Sequence, residues 1–382
     1  MLYLIIGTYL FIVAGFLREN RFFDFNCALV LAFLAANHYN GFDWISYYHL
    51  YENETLAGLL STESILDSTS PGFLLVLALA KLLGSYNIVF VTSSFAFVYC
   101  ARRLAAHHPN RNIVLFMCFC FFAYYYYVER VKQGFSISLL MLSISQMLRA
   151  RRGAAWLSMF AAMLFHTSAI LAIPLLTLPY KEETSNRNER LIGTVIIISL
   201  SVMSYFLLRS PLTGFFSGIF GYYLSSYATQ IVHGFNPGFF VSIGGLSFLC
   251  MLFVIYRVSL TAPPSKQRNY AYFIYLFSYV TSSFYGFIRI SNYYYPYVIH
   301  VLADFAGKKR TNNMWRLMIL VGALVQLIRP LSTPYYFDSI MRYQLWGISG
   351  QTPSDMQHTR CNSVLSSDAY NELAIYSCAK KL

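Results

Sequence analysis

Charge is what this sequence has least of. Asp, Glu, Lys and Arg make up 12% of its 382 residues, about half the share of a soluble domain. Hydrophobic residues reach 57%, more apolar surface than a soluble core of this size can bury, so a soluble globular protein is excluded. Acidic residues are the scarcer sign, 16 against 28 Lys and Arg, for a formal charge of +12. That excess does not describe a nucleic-acid-binding face, because the basic residues fall in short clusters between apolar runs, as topology signals do; no nucleic-acid partner is expected. No GxGxxG, no P-loop and no DxD-like carboxylate pair is present, so neither a nucleotide-binding domain, a metal nor another cofactor is expected. The seven cysteines lack metal-ligand spacing. Cys27, Cys100, Cys118, Cys120 and Cys250 lie in apolar runs, where cysteine is a small hydrophobe. Cys361 and Cys378 stand together in the polar C-terminal segment, either a disulfide in an oxidising compartment or two thiols.

Apolar runs near bilayer width recur along the chain, among them Ile113–Val128 and Leu191–Leu208. The fold expected is all-α, a polytopic transmembrane helical bundle of about twelve segments, some short or re-entrant. Met1–Leu17 is apolar, has no basic residues before it and is followed by Arg18 and Arg21, so it reads as a retained first helix. Placing Arg18–Arg21 in the cytoplasm sends the next span out to Tyr39–Ser70, which holds Asp43, Glu52, Glu54, Glu63 and Asp67 and no Lys or Arg. Two segments resist simple counting. Pro71–Gly84 is short and reads as dipping into, or lying along, the outer interface. Gly153–Leu178 is too long for one upright helix and reads as two short ones with a turn near His166. The remaining spans alternate, leaving both termini outside. Residues 1–330 are then a transmembrane domain with extracytoplasmic loops 39–85 and 209–236, and residues 331–382 an extracytoplasmic tail.

The cations this threading strands outside before the tail carry the information: Lys81, Arg130, Lys132, Arg209, Arg289 and Arg329. Arg130, Lys132 and Arg289 sit at helix ends among tyrosines, in YYYYVERVKQG and GFIRISNYYYPY. Against the topology rule, such cations need a local anion. Glu129 would make a structural ion pair; a lipid-linked diphosphate is the alternative, since Arg and Lys suit its oxygens. Arg130, Gln133 and Gly134 share a face if one helix runs through Lys132, and Arg289 and Asn292 repeat the i, i+3 spacing. His166, followed by Thr167 and Ser168, is either a packing residue or a base, its imidazole titrating near neutrality. Asp43 precedes Trp44, Tyr47, Tyr48 and Tyr51, an interfacial aromatic belt or a stacking platform for sugars with a carboxylate to hold a hydroxyl or take its proton. The 32 tyrosines fit both.

These segments, in order, resemble the EpsG-like family of bacterial polysaccharide polymerases, akin in function to Wzy-type O-antigen polymerases. The resemblance runs from about residue 30 to 340: Gly41-Phe42-Asp43 with Tyr47; Pro71-Gly72-Phe73 leading to Lys81-Leu82-Leu83-Gly84; Lys132-Gln133-Gly134; Phe165-His166-Thr167-Ser168-Ala169; and Arg289 with Asn292. Two departures stand out. Lys132-Gln133 replaces the family's usual Arg-Gln pair, and Ser70 stands where an acidic residue often precedes Pro-Gly-Phe.

The resemblance implies a membrane glycosyltransferase of GT-C-like plan in the bacterial cytoplasmic (inner) membrane, its site facing the periplasm. Its substrates would be a growing glycan on undecaprenyl diphosphate as donor and a lipid-linked repeat unit as acceptor, with room for a chain-length-regulating protein as partner. On that reading Arg130, Lys132 and Arg289 stabilise the departing diphosphate, at about 3 kcal/mol per well-placed donor. Asp43 or His166 takes the acceptor's proton, and Gln133, Asn292 and Tyr47 orient the substrate. A flippase or transporter of lipid-linked oligosaccharide is the alternative from another class, and an O-antigen ligase or membrane acyltransferase a chemically close one. A transporter would place its polar groups at the midplane with paired repeats; here they gather at one face.

Overall fold

The structure, a computed structural model, describes residues 1–17, 20–41, 43–67, 70–209, 237–261, 263–282, 291–308, 311–332, 334–348 and 350–365. It is all-α, with no strand among the described residues. Two compact units form: residues 1–170 with 326–382, and residues 171–325. In the first lie α1 (Leu2–Phe16), α2 (Phe23–Ala35), α3 (Trp44–Asn53), α4 (Leu56–Leu59), α5 (Thr62–Asp67), α6 (Pro71–Leu82), α7 (Asn87–Ala105), α8 (Arg111–Cys118), α9 (Val131–Leu148) and α10 (Arg152–Phe165). A 3-10 helix, Thr167–Thr177, leads into the second unit, which holds α11 (Arg187–Arg209), α12 (Ile243–Ser259), α13 (Lys266–Thr281) and α14 (Tyr295–Gly307). Along α15 (Asn313–Ile328) the chain returns to the first, where α16 (Pro334–Met341) and α17 (Pro353–Leu365) follow.

The helices start and stop for local reasons. The Asn110 side chain caps α8, accepting from the N–H of Asn112 at 3.1 Å and of Ile113 at 3.4 Å. Pro71 opens α6, where its missing N–H costs nothing. Gly84, at φ +68°, closes the same helix, and Ser85 N–H bonds back to Ala80 O at 3.0 Å. Asp24 in the first turn of α2 and Arg102 and Arg103 in the last turn of α7 complement the helix dipoles.

Among the described residues, Asn87–Ala105, Arg111–Glu129 and Asn313–Leu331 are long and apolar enough to cross a membrane, and six shorter apolar helices accompany them. Large hydrophobic side chains point outward, among them Ile5, Phe95, Leu157, Phe160, Ile192 and Val195. Outward apolar faces of this extent fit lipid contact rather than water. This is a multi-pass helical membrane protein.

At the centre of the first unit runs the rod Arg111–Glu129. It starts as α8 and widens into a π-helix over Phe119–Glu129, as the 3.0 Å bond from Arg130 N–H to Tyr125 O, five residues back, attests. From Asn112 to Glu129 every side chain but Tyr125 is buried, packed among α1, α2, α7 and α9. Two glycines let other segments touch its backbone. A Cβ on Gly134 would collide with Tyr126 O, and one on Gly41 with Val128 O and the Glu129 Cα. Tyr127 Oη ties the same contact, donating to Gly134 O at 2.8 Å and bonding Ser138 Oγ at 2.6 Å.

Helices α9 and α10 form an antiparallel hairpin. Ser136 Oγ donates to Ala162 O and Ser143 Oγ to Ala155 O, each at 2.9 Å, so small hydroxyls join the helices where no water competes. The long Gly153–Leu178 segment is indeed broken: α10 stops at Phe165, and His166 is extended, with φ −157° and ψ 111°.

In the second unit, α12 packs on α13 and α13 on α11, where Gly193 abuts the Phe273 ring. A loop of residues 181–185 pairs with 264–266, fastened by Lys266–Glu183 at 3.1 Å; Lys308 reaches Glu182 and Asp304, each at 3.0 Å. These ion pairs are substantially exposed, so each contributes little to stability.

Gly134→Ala will lower thermal stability in detergent, overpacking of this kind costing about 1–3 kcal/mol. Gly153→Ala, with nothing within 4 Å of the added Cβ, will leave it unchanged or raise it. Equal melting behaviour of the two variants would refute the close approach at Gly134.

Candidate functional site

Four of the sequence strings singled out above meet at one end of the first unit. The register of the α9–α10 hairpin, carried one turn beyond the Ser136–Ala162 bond, sets Lys132 level with His166. Phe135 and Phe165 stack between them at 4.8 Å and 20°. Gly72, in the first turn of α6, lies against the Leu164 backbone and the Phe165 ring, and Phe73 follows it into the space beside α9. Gly41 seats the loop before α3 on the rod, three positions from Trp44, whose Nε1–H donates to Gly41 O at 2.6 Å.

Lys132 occupies the second position of α9. Its ammonium lies 4.4 Å from the centre of the Tyr47 ring and 5.6 Å from that of Phe73, two rings that pack at 4.9 Å. Asp43 is near enough to act on it electrostatically. Among the described residues no acceptor is within hydrogen-bond distance of its Nζ, so ring faces and a nearby carboxylate hold the cation while its N–H donors remain unspent. A desolvated cation–π contact contributes about 2 kcal/mol, well below what an ammonium loses on leaving water.

His166 is half-buried, and its Nδ1 bonds Ser168 Oγ at 2.6 Å, which fixes the ring's rotation. Tyr48 and Tyr51 continue the aromatic face of α3 toward Tyr86 and Tyr39. Burial, with Glu52 beside it, pushes the Tyr48 phenol up to about 12, so at neutral pH it is a hydroxyl and not a base. Tyr39 has φ +56°, rare for a bulky side chain, and is held by Trp44 at 4.7 Å and by stacking on Tyr86 at 5.9 Å.

Arg130 is where the π-helix ends and α9 begins, its carbonyl accepting from Gly134 N–H at 3.0 Å. One regular helix therefore does not run through both: Arg130 is the N-cap of α9 and Gln133 its third residue. Gln133 is buried in the first turn of α9. Asn292 lies in the second unit, buried in a short 3-10 turn ahead of α14. Arg289 and Phe42 lie outside the described residues, as does Cys378. Cys361 is disulfide-bonded, and the five cysteines of the apolar runs are free.

Lys81 and Arg329 have local partners. Lys81, in the last turn of α6, donates to the C-terminal carbonyl Tyr51 O of α3 at 2.5 Å, a helix-end interaction. Arg329 sits 5.4 Å from the Tyr125 ring. At the other end of α7, about 28 Å away at 1.5 Å per residue, Arg102 pairs with Asp24 at 2.9 Å and His107 bonds Ser145 at 3.0 Å.

Three residues escaped the sequence reading: Tyr39, Asn40 and Arg360. Asn40, which is fully buried, contacts Ser339, Gln344 and Arg360 of the C-terminal segment. The Asn-Gly step was the only local signal for it.

The fold and the gathered strings define a polytopic helical membrane protein with a polar, aromatic-lined site at one end of its first unit. The chain belongs to the EpsG family, whose match covers residues 21–345. Neither a curated protein nor a solved structure matches it. Family membership indicates a membrane function of polysaccharide-polymerase type.

Lys81→Met will cost about 1 kcal/mol of stability, the worth of one hydrogen bond, and leave polysaccharide production by a complemented strain unchanged at matched expression. Loss of polymer from a stably accumulated Lys81→Met chain would show that Lys81 does more than close α3.

Proposed function

We propose that this chain is a glycosyltransferase that polymerises oligosaccharide repeat units carried on undecaprenyl diphosphate, at the periplasmic face of the bacterial cytoplasmic membrane. One observation carries the reading: a half-buried ammonium, Lys132, whose donors find no acceptor among the described residues, set level with a histidine and beside a carboxylate. A diphosphate ester supplies the missing acceptors, and the proton-accepting groups stand around it.

In the reaction, an acceptor sugar hydroxyl attacks the anomeric carbon of the donor glycan. The bond from that carbon to the diphosphate oxygen breaks, and undecaprenyl diphosphate leaves with the electron pair. Lys132 holds the charge that develops on the leaving oxygen, with Arg130 and Arg289 as further cations. Asp43 or His166 receives the hydroxyl proton; Ser168 keeps the imidazole in one orientation. Tyr47 backs the ammonium and offers its ring edge to a sugar, while Gln133 and Asn292 orient hydroxyls or phosphate oxygens.

The test is complementation of a deletion strain, with expression matched and glycan length scored. Lys132→Met will slow polymerisation about 10²-fold, the usual effect of removing one such donor, and Lys132→Arg, which restores the family's common pair, will retain it. Asp43→Asn and His166→Gln separate the two candidate bases: the true one stops chain growth at single repeat units. Full-length polymer from both variants and from Arg289→Ala would overturn the site. Repeat units trapped on the inner leaflet would make the protein a flippase, and long polymer left on its lipid carrier a ligase.

A further inference from the structure

The family match ends at residue 345, yet the segment beyond it is built into the site's support. Residues 36–40 and 344–346 run side by side in opposite directions. Trp346 N–H donates to Ala36 O at 2.7 Å and His38 N–H to Gln344 O at 3.3 Å, and Asn37 bridges Leu345. At the end of this pairing Asn40 is saturated. Its Nδ2 donates to Asn37 Oδ1 at 2.6 Å and to Gln344 O at 2.8 Å. Its Oδ1 accepts from Gln344 N–H at 2.6 Å and from Arg360 Nη2 at 3.3 Å, and its carbonyl accepts from Ser339 Oγ.

Arg360 lies on α17 and is 1% exposed, and its neighbour Cys361 is disulfide-bonded. Arg360 and Glu129 both act electrostatically on Tyr124, which puts the guanidinium beside the part of the rod where Gly41 is seated. The loop Asn40-Gly41 is therefore gripped twice, by the rod's backbone through Gly41 and by the C-terminal helix through Arg360. Asp43 stands three residues on. A buried arginine is costly unless hydrogen-bonded partners justify it, and one partner here is the loop that delivers the proposed site carboxylate.

We infer that Arg360 is a positioning residue: through Asn40, it lets the C-terminal helix fix the loop that carries Asp43. The inference rests on the proposed role of Asp43, and its test separates the two. An Asp43→Cys chain is labelled with a membrane-impermeant maleimide, with the chain lacking that cysteine as background. Arg360→Met added to it will raise the labelling rate at least tenfold, and Arg360→Lys will recover part of the difference. Asn40→Ala, which removes that contact together with the bonds of Asn40 to Asn37 and Gln344, will raise the rate at least as much; it also serves alone if the arginine variant fails to accumulate. In the chain with Asp43 intact, Arg360→Met will shorten the glycan. An unchanged labelling rate in a stably accumulated Arg360→Met or Asn40→Ala chain would overturn the positioning role. A raised rate with full-length polymer would leave the positioning role standing and remove Asp43 from the reaction.

Discussion

Backbone-to-backbone approach at two glycines is the constraint on which the first unit depends. A buried rod built from FCFFAYYYYVE presents large side chains on every side, and large side chains keep neighbours at a distance. Gly134 and Gly41 are the places where a neighbour reaches the rod's carbonyls instead. The first brings the start of α9, and with it Lys132, against the rod; the second brings the loop ahead of α3, and with it Asp43. Widening the rod into a π-helix shifts where the carbonyls of residues 126–129 point, so the rod's irregular stretch and the two glycines belong to one device. Gly72 repeats the principle between α6 and the end of α10.

What the device assembles is electrically uncomfortable. A half-buried ammonium between two rings keeps only part of what water gave it, since ring faces are weak substitutes for oxygen acceptors. Asp43 offsets more of the cost, but at the range of a field and not of a hydrogen bond. The residual demand is for oxygen atoms carrying negative charge, which is the chemistry of the proposed diphosphate.

Part of this was legible in the residues. Scarce charge and recurrent apolar runs gave the membrane bundle, because no other environment absorbs so many outward hydrophobic side chains. The short strings containing glycine marked the site because close approach tolerates no Cβ and so leaves a spelling. The break at His166 followed from a segment of the wrong length for one helix. Other features leave no spelling. A π-helix and an α-helix draw on the same residues, so the junction at Arg130 was invisible and a continuous face through Gln133 was expected instead. Lys132 and His166 come level only through the register of a hairpin. Arg360 lies 320 residues from Asn40 in a polar segment that reads, by composition, only as a tail.

Two lysines near the same face show how little residue type says without its position. Lys81 is in the last turn of α6 and donates to the last carbonyls of α3. Both helix ends carry partial negative charge, so the cation is satisfied where it stands and explains itself. Lys132 is in the first turn of α9, where the helix end carries partial positive charge and no acidic residue in that turn answers it. A lysine there is opposed by the helix dipole and by its burial together. Each of these alone has a structural remedy. A single anion placed at the start of α9 answers both, because it meets the ammonium and the positive end of the helix at once. That economy is the physical reason to read Lys132 as a ligand for phosphate oxygens and Lys81 as part of the scaffold.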